Sequence, residues 1–507
     1  MAGAAALFLL LGILLIPRAG LEADEALFAD PLYRSQGADF ELGILHHKIP
    51  VMVIWYTGTL KTALCWPALR IFAPSIYAVR LPMVLAGAAT IVLFFFLARS
   101  LAGGAAAIIA TALLATDPVF VLTDTFDFGP DALEHLLLVA ACLAMVRRRP
   151  VLSSFLLGLA LWNKATFVWS LCGLAVAALI AYWPVCARLL GDRRLLLRCG
   201  IAFLAGALPL LLFNLHRRAA TLNASQGLSL QDAGAKLHQL RGALNGSGLF
   251  GFLPADDWAT DKPKPPSTAW GGGFRSSLLP YALAVAILAA WWWPARRAAV
   301  FAVVFCIVTF LWMFVTRGAG TGIHHIVLLW PFPHLLVGIA LSALRPRWAT
   351  VGAAALVVSN LLVINYYFVQ FDRNGAEGKF TDAIAGLSNA LPAEPGDSIH
   401  IADWGIYEAL TYLERGRLPL HYAPELLVAV HPTSAQNRAM AAMIADPHGL
   451  FVTHVAAREI FRGARDRLEA AAAANGWSKR VVETISDSNG RPVFELWRFG
   501  TARNEAK

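Results

Sequence analysis

Apolar runs long enough to cross a bilayer recur from the N-terminus to Tyr367, and they restrict the class of structure before any single residue is considered. A crossing takes about 20 mostly apolar residues, and in hydrocarbon only helices and closed barrels pair all their own backbone groups. The runs are continuous rather than alternating, which selects helices. Eleven spans are read, near 3–17, 79–97, 102–121, 131–146, 150–164, 166–184, 199–214, 278–294, 298–316, 325–343 and 349–368. Composition agrees, since only 15% of the 507 residues are charged against about 25% in soluble domains. The expected fold is therefore a polytopic α-helical membrane protein with about 11 transmembrane helices. The first run, AGAAALFLLLGILLIP, has no basic segment before it and reads as an uncleaved helix rather than a signal peptide.

Arginines orient the chain. With the N-terminus cytoplasmic, the inside connections carry Arg99, Arg147, Arg148, Arg149, Arg188, Arg193, Arg194, Arg198, Arg296, Arg297, Arg345 and Arg347. The outside connection TDPVFVLTDTFDFGPD has no basic residue. This is the positive-inside pattern, so the net charge of +9 reads as a topology signal and no nucleic-acid partner is expected. The expected location is the plasma membrane, in a bacterium the inner membrane, with the C-terminal region outside. The cysteines form no CxxC pair and suggest neither a disulfide framework nor a zinc site.

Two domains follow, a transmembrane domain over 1–368 and an extracytoplasmic α/β domain over 369–507. The first has large outer loops at 18–78 and 215–277. In loop 18–78, DEALFADPLYRSQ and KIPVMVIWYTGTLKTALCWPALRIF read as two helices lying on the outer membrane surface. In loop 215–277, PADDWATDKPKPPSTAWGGG reads as a cover, with Asp256 and Asp257 facing an acceptor. Beyond Phe371, SIHIAD and GLFVTHV read as buried strands. FTDAIAGLSNAL and REIFRGARDRLEAAAAANG read as amphipathic helices, and WSKRVVETISD with PVFELWRF as a hairpin across Asn489-Gly490. No glycine-rich phosphate loop is present, so this region gives no sign of binding a nucleotide.

The ionisable residues outside the arginine connections gather on one side. Asp24 and Glu25 follow the first span, Lys48 follows His46 and His47, and Arg80 opens the second span. Asp127 and Asp131 lie between the third and fourth spans, Lys164 between the fifth and sixth, and His324 and His325 open the tenth. Each has an ordinary reading: a helix cap at Asp24 or Asp131, an interfacial anchor at Lys48 or Arg80, a packed pair at His324-His325. Lys164 resists one, because a cation in an apolar region needs an anion. Together the cations suit a phosphate, with a carboxylate beside them as general base. Glu22 and Asp30 read as surface acids.

The motifs in order resemble the C-superfamily glycosyltransferases of the protein O-mannosyltransferase and lipid A aminoarabinose transferase group, a family 39-like set. Asp24-Glu25 follows the first span. HKIPVMVIW resembles a KPP-like element, RLPMVLAGAATIVLFFFLAR the second span, GLALWNKATFVW a break before a lysine, and HHIVLLWPFPHLLVGIAL a late span. The resemblance covers roughly 20–345. It implies a GT-C-like fold and inverting transfer of a sugar from a polyprenyl or dolichyl phosphate, on the outer face, to a protein, lipid A or glycan acceptor. It implies Asp24 as base, Glu25 as its support, Lys48 and Lys164 on the donor phosphate, and Arg80 ordering the loop or touching the phosphate. His325, with His324, would line the pocket opposite, and His47, Asp127 and Asp131 would complete the cavity. Members that bind a divalent metal often have an acid where this chain reads HHK, so no metal ligand is carried over, and no other cofactor is identified. The alternatives are a transporter or lipid flippase, which calls for polar groups at mid-bilayer, and a non-catalytic anchor, for which eleven spans are far more than needed.

Overall fold

The computed structural model describes residues 1–34, 37–44, 46–223, 227–255, 273–289, 292, 295–391, 398–429 and 432–501. Each of the eleven apolar runs holds a helix. Among the described residues, four helices are long and apolar enough to cross a membrane, and seven pass if each sharply bent pair counts as one span. Helix α1 (Ala2–Leu15) stops where Pro17 enters a single 3-10 turn. After it come α2 (Ala23–Leu27) and α3 (Asp30–Tyr33), then strands β1 (Phe40–Ile44), β2 (His47–Ile54) and β3 (Thr57–Gly58), then α4 (Leu60–Ile71).

Loop 18–78 therefore departs from the expected pair of surface helices. The first segment is two helical turns, the second starting with Pro31 in its first turn. The start of the second segment is strand, because Val51, Val53 and Ile54 favour extended backbone. Val51 and Met52 pack there on Phe40, Leu210 and Phe213. Only its latter half, α4, is helical; it buries Lys61, Thr62, Cys65 and Leu69 and exposes Leu64, Trp66 and Ile71.

Helix α5 (Ile76–Ala115) has 40 residues. At 1.5 Å per residue that is about 60 Å, twice a bilayer core of about 30 Å. Gly103, at φ 88° and ψ 175°, breaks it in two, and a residue with a Cβ rarely adopts that conformation. The third span ends at Ala115, earlier than expected. Asp117 then caps the separate helix α6 (Pro118–Phe126) by accepting from the Phe120 amide at 2.8 Å. Helix α6 meets α7 (Asp131–Val146) at 114°. The chain continues as α8 (Pro150–Asn163), α9 (Val168–Ala181), the short α10 (Trp183–Gly191) and α11 (Arg193–His216). Later come Ala233–Asn245, Leu279–Ala289, Arg296–Val315, a bent pair over Ile323–Ser342, and Pro346–Asn374. In loop 215–277 the proposed cover with Asp256 and Asp257 lies outside the described residues.

The C-terminal region is a five-stranded sheet flanked by helices. It contains β4 (Ser398–Ile401), β5 (Leu420–Tyr422), β6 (Gly449–His454), β7 (Trp477–Ser486) and β8 (Pro492–Thr501), in the order β5-β4-β6-β8-β7. Strand β4 runs parallel to β5 and β6, and β7-β8 is the hairpin expected from the sequence. Alternate residues face opposite ways along a strand. Leu450, Val452 and Leu496 face one core, while Phe451 and Trp497 face a second with Leu468 and Ile444. The first core also holds Ala26, Ala29, Met83 and Leu133. The C-terminal region thus shares a core with the end of the helical region that carries α2, through the helix Tyr407–Leu413.

Candidate active site

Helix α2 exists because Glu22 caps it. The Glu22 carboxylate accepts from the Asp24 amide at 2.6 Å and the Glu25 amide at 3.2 Å. Glu22 is therefore buried and structural, not the surface acid expected from sequence. Its neighbours Asp24 and Glu25 point to different environments. Glu25 is fully buried and holds Arg80 through two bonds of 2.7 Å, from Nε and Nη2. Arg80 donates its remaining N–H groups to the carbonyls of Ile16 at 2.6 Å, Ala19 at 2.8 Å and Gly20 at 2.6 Å. All five donors of the guanidinium are thus engaged. Of the two roles the resemblance left open for Arg80, the geometry fits ordering of the loop and leaves no donor for a phosphate.

Asp24 is partly exposed, and among the described residues its carboxylate accepts no hydrogen bond. Burial raises its pKa above the usual aspartate range, and Lys379, Lys61 and Lys164 pull it back. It is the open carboxylate of the cluster.

Three cations lie within electrostatic reach of it. Lys61 is buried and bonds the Asp127 carboxylate and carbonyl, both at 2.7 Å. Asp127 has a left-handed backbone at the end of α6, and its other oxygen accepts from the Ala132 amide at 2.9 Å. Lys164 occupies the break between α8 and α9. Its ammonium donates to the Gly129 carbonyl at 2.7 Å and lies 3.4 Å from Asp131 and 3.8 Å from Glu134. The anion that a cation in this apolar region requires is thus found on α7. Lys379, in the turn Gly378–Phe380, is exposed, with its ammonium 4.4 Å from the centre of the Trp404 ring.

The loop 127–131 is pressed against the histidine pair. A Cβ on Gly129 would stand 2.7 Å from that of His324 and 2.8 Å from the Asp131 carboxylate, so only glycine fits. His324 lies within electrostatic reach of Lys164 and Lys379. Its ring packs on His325, 4.2 Å between centres, and on Phe128 at 5.8 Å. The His325 Nδ1 accepts from the Gly320 amide at 3.1 Å, which leaves the proton on Nε2, and Trp169 meets the ring edge-on. Among the described residues no three His, Cys, Asp or Glu side chains converge to hold a metal ion.

The structure thus brings together Asp24, Lys164, Asp127, Asp131, His324 and His325, with Glu25 and Arg80 behind them. It does not bring Lys48 or His47. Both open strand β2 at the exposed end of the β1-β2 hairpin, where among the described residues Lys48 pairs only with Glu41, at 3.7 Å. The cause is the strand that replaced the expected helix, which carries the HKIP element outward.

Sequence reading missed Lys61, Lys379, Tyr56, Glu134 and His135. Tyr56 is near Asp24, Asp131 and Lys164, and burial raises its phenol pKa. His135 bridges Asp124 at 2.8 Å and the Val327 carbonyl at 2.9 Å. Lys61, Glu134 and His135 carried a signal, since ionisable groups in apolar helices are costly. Glu134 and His135 also follow Asp131 at helical neighbour spacing. Lys379, in a soluble-looking turn, carried none.

Residues 60–214 match the family model described as dolichyl-phosphate-mannose-protein mannosyltransferase. No curated protein sequence matches the chain. Among solved structures, ArnT from Cupriavidus metallidurans in the apo state has a TM-score of 0.64 at 15% identity, covering 98% of this chain and 97% of that one. The same protein bound to undecaprenyl phosphate gives 0.61, with equal identity and coverage. The Archaeoglobus fulgidus oligosaccharyltransferase in the apo form gives 0.50 at 13% identity, over 89% of this chain and 69% of that one. Residues 60–214 thus carry a sequence likeness to the protein mannosyltransferase family, and nearly the whole chain shares the fold of ArnT.

Proposed function

We propose that the protein is an inverting glycosyltransferase that moves a sugar from a polyprenyl- or dolichyl-phosphate donor to a protein, lipid A or glycan acceptor. The reaction takes place on the extracytoplasmic side of the membrane, in a bacterium the inner membrane. The chain crosses eleven times from a cytoplasmic N-terminus. Residues 1–368 form the transferase domain, and 369–507 form an outer α/β domain that adds Lys379 and Trp404 to the site. Helix α4 lies along the outer surface on its apolar face.

One observation carries this reading. Among the described residues, Asp24 is a partly exposed carboxylate that accepts no hydrogen bond, within electrostatic reach of three lysines, in a cluster whose other acids are buried. A base must be free to take a proton, and a leaving phosphate must find positive charge. The Asp24 carboxylate accepts the proton of the acceptor nucleophile. The nucleophile forms its bond to the anomeric carbon as the bond from that carbon to the phosphate oxygen breaks. The electron pair stays on the phosphate, which leaves as an anion near Lys379, Lys164 and the His324-His325 pair. A single displacement inverts the anomeric centre. Glu25 and Arg80 hold α2 in place and touch neither reactant. The bound undecaprenyl phosphate named for the Cupriavidus metallidurans ArnT supports a lipid-phosphate donor here.

The test is Asp24→Asn in purified full-length protein supplied with a polyprenyl-phosphate sugar. Turnover is expected to fall about 100- to 10,000-fold, the usual share of a general base, while donor binding persists. Full activity in that variant would remove Asp24 from the chemistry. Comparing lipid A, protein glycans and envelope glycans from cells with and without the protein identifies the acceptor.

A further inference from the structure

The helices that carry the polar cluster at one end enclose a crevice at the other. Helix α7 runs from Asp131 in the cluster to Val146 at the crevice, and α8 from Pro150 at the crevice to Asn163 beside Lys164. The crevice holds about 1500 Å³, above the roughly 300–1,000 Å³ of a small-ligand pocket. Its wall is apolar, with Leu97, Leu101, Leu157, Leu174, Phe301 and Phe332. Its rim is basic, with Arg148, Arg188 and Arg297, all exposed. The acid lining it, Asp192, already caps α11 by accepting from the Leu195 amide at 3.0 Å.

Two local features shape the rim. Arg148 stands at φ 58°, a left-handed backbone that side-chain-bearing residues seldom adopt, in the tight turn before Pro150. The chain thus keeps an arginine where glycine would be easier. Helix α10 leaves α9 at 105° and lays Val185, Cys186 and Arg188 along the opening. Arg188 has one bond to the backbone, to the Pro184 carbonyl at 3.1 Å. Arginines placed only as topology signals have no need to ring an apolar cavity. These three do, at the mouth of a space that runs between the helices.

We propose that this crevice binds an anionic diacyl phospholipid, with acyl chains between the helices and its phosphate among Arg148, Arg188 and Arg297. Guanidinium groups pair with phosphate through parallel N–H bonds, and basic pockets between transmembrane helices select anionic headgroups. A zwitterionic lipid fills the apolar part equally well but gives the arginines no net charge to neutralise.

Native mass spectrometry of the full-length protein tests this. The protein is released from bilayers holding equal amounts of phosphatidylglycerol and phosphatidylcholine. Wild type is expected to retain the former at least tenfold over the latter. The variant R148Q/R188Q/R297Q is expected to lose that preference. Ala178→Trp, which narrows the crevice and leaves the arginines in place, is expected to lower retention of both lipids. Equal retention of the two lipids by wild type overturns the proposal, as does an unchanged preference in the arginine variant. If the arginine variant fails to fold, the wild-type comparison of the two lipids decides alone.

Discussion

The two ends of the helical region handle positive charge in opposite ways. At the polar end Arg80, Lys61 and Lys164 are buried, each with a carboxylate on another segment: Glu25, Asp127 and Asp131. At the basic end Arg147, Arg148 and Arg149 are exposed, and among the described residues none of them forms an ion pair. Buried cations need partners fixed by the fold, whereas exposed ones answer to water and lipid headgroups. The polar end is therefore a buried, paired cluster and the basic end an exposed surface, although both look alike as charged interruptions in an apolar sequence.

The largest break in this contrast is Arg80→Ala. It leaves Glu25 as an uncompensated buried acid and three carbonyls without donors. The expected cost is about 3–5 kcal/mol, the range for removing one partner of a buried pair. Thermal unfolding in detergent should show it as a large drop in midpoint or a failure to accumulate folded protein. Arg147→Ala at the other end should melt with wild type. Equal effects from the two substitutions would mean that burial does not divide the two ends. A smaller effect is expected at Lys379, the exposed cation near Asp24. Lys379→Ala should leave folding intact and raise the donor KM about tenfold, since a hydrogen bond to a charged group is worth about 1.5–3 kcal/mol. A fall in kcat at constant KM would instead mean that Lys379 acts only in the transition state.

The difference between the ends also explains what the sequence could disclose. The helices were legible because apolar length is a local property. Asp24, Lys164 and the histidines were legible through motif order and the cost of charge in an apolar run. Lys48 and Lys61 were not separable that way. Both precede apolar stretches thirteen positions apart, and only the fold, by making Val51–Ile54 a strand, sends one to the surface and buries the other against Asp127. Glu22 and Asp30 failed for the same reason: the tertiary fold, not the local pattern, buries them.

Asp30 offers a third test, through pH. Its carboxylate is buried, with one oxygen lacking a hydrogen-bond partner among the described residues, and lies near Glu408 of the C-terminal region. Burial first, and Glu408 second, raise its pKa well above 3.8, while Arg34 opposes them. A carboxyl whose pKa is higher folded than unfolded favours folding in its protonated form. Its contribution therefore weakens as pH rises from the unfolded value through the folded one. Asp30→Asn keeps the neutral state at every pH. The variant should gain melting temperature over wild type as pH rises across that window and show no gain below about pH 3.8. A constant offset at all pH values would mean that Asp30 does not titrate with folding.

The smallest effect is expected where the resemblance pointed most directly. Lys48 matches the lysine of the KPP-like element, yet its side chain is 68% exposed and among the described residues pairs only with Glu41, at 3.7 Å. Exposed pairs of this kind contribute little to stability, because water and salt screen them and the long side chain loses entropy. Lys48→Ala should match wild type in melting temperature and in donor KM, while Lys61→Ala, with the same charge change, should destabilise the protein by stranding Asp127. Measuring both in one assay separates position in the motif from position in the fold. If Lys48→Ala raises the donor KM while Lys61→Ala is silent, the β1-β2 hairpin must fold back over Asp24 when donor binds, and the phosphate subsite belongs to the motif after all.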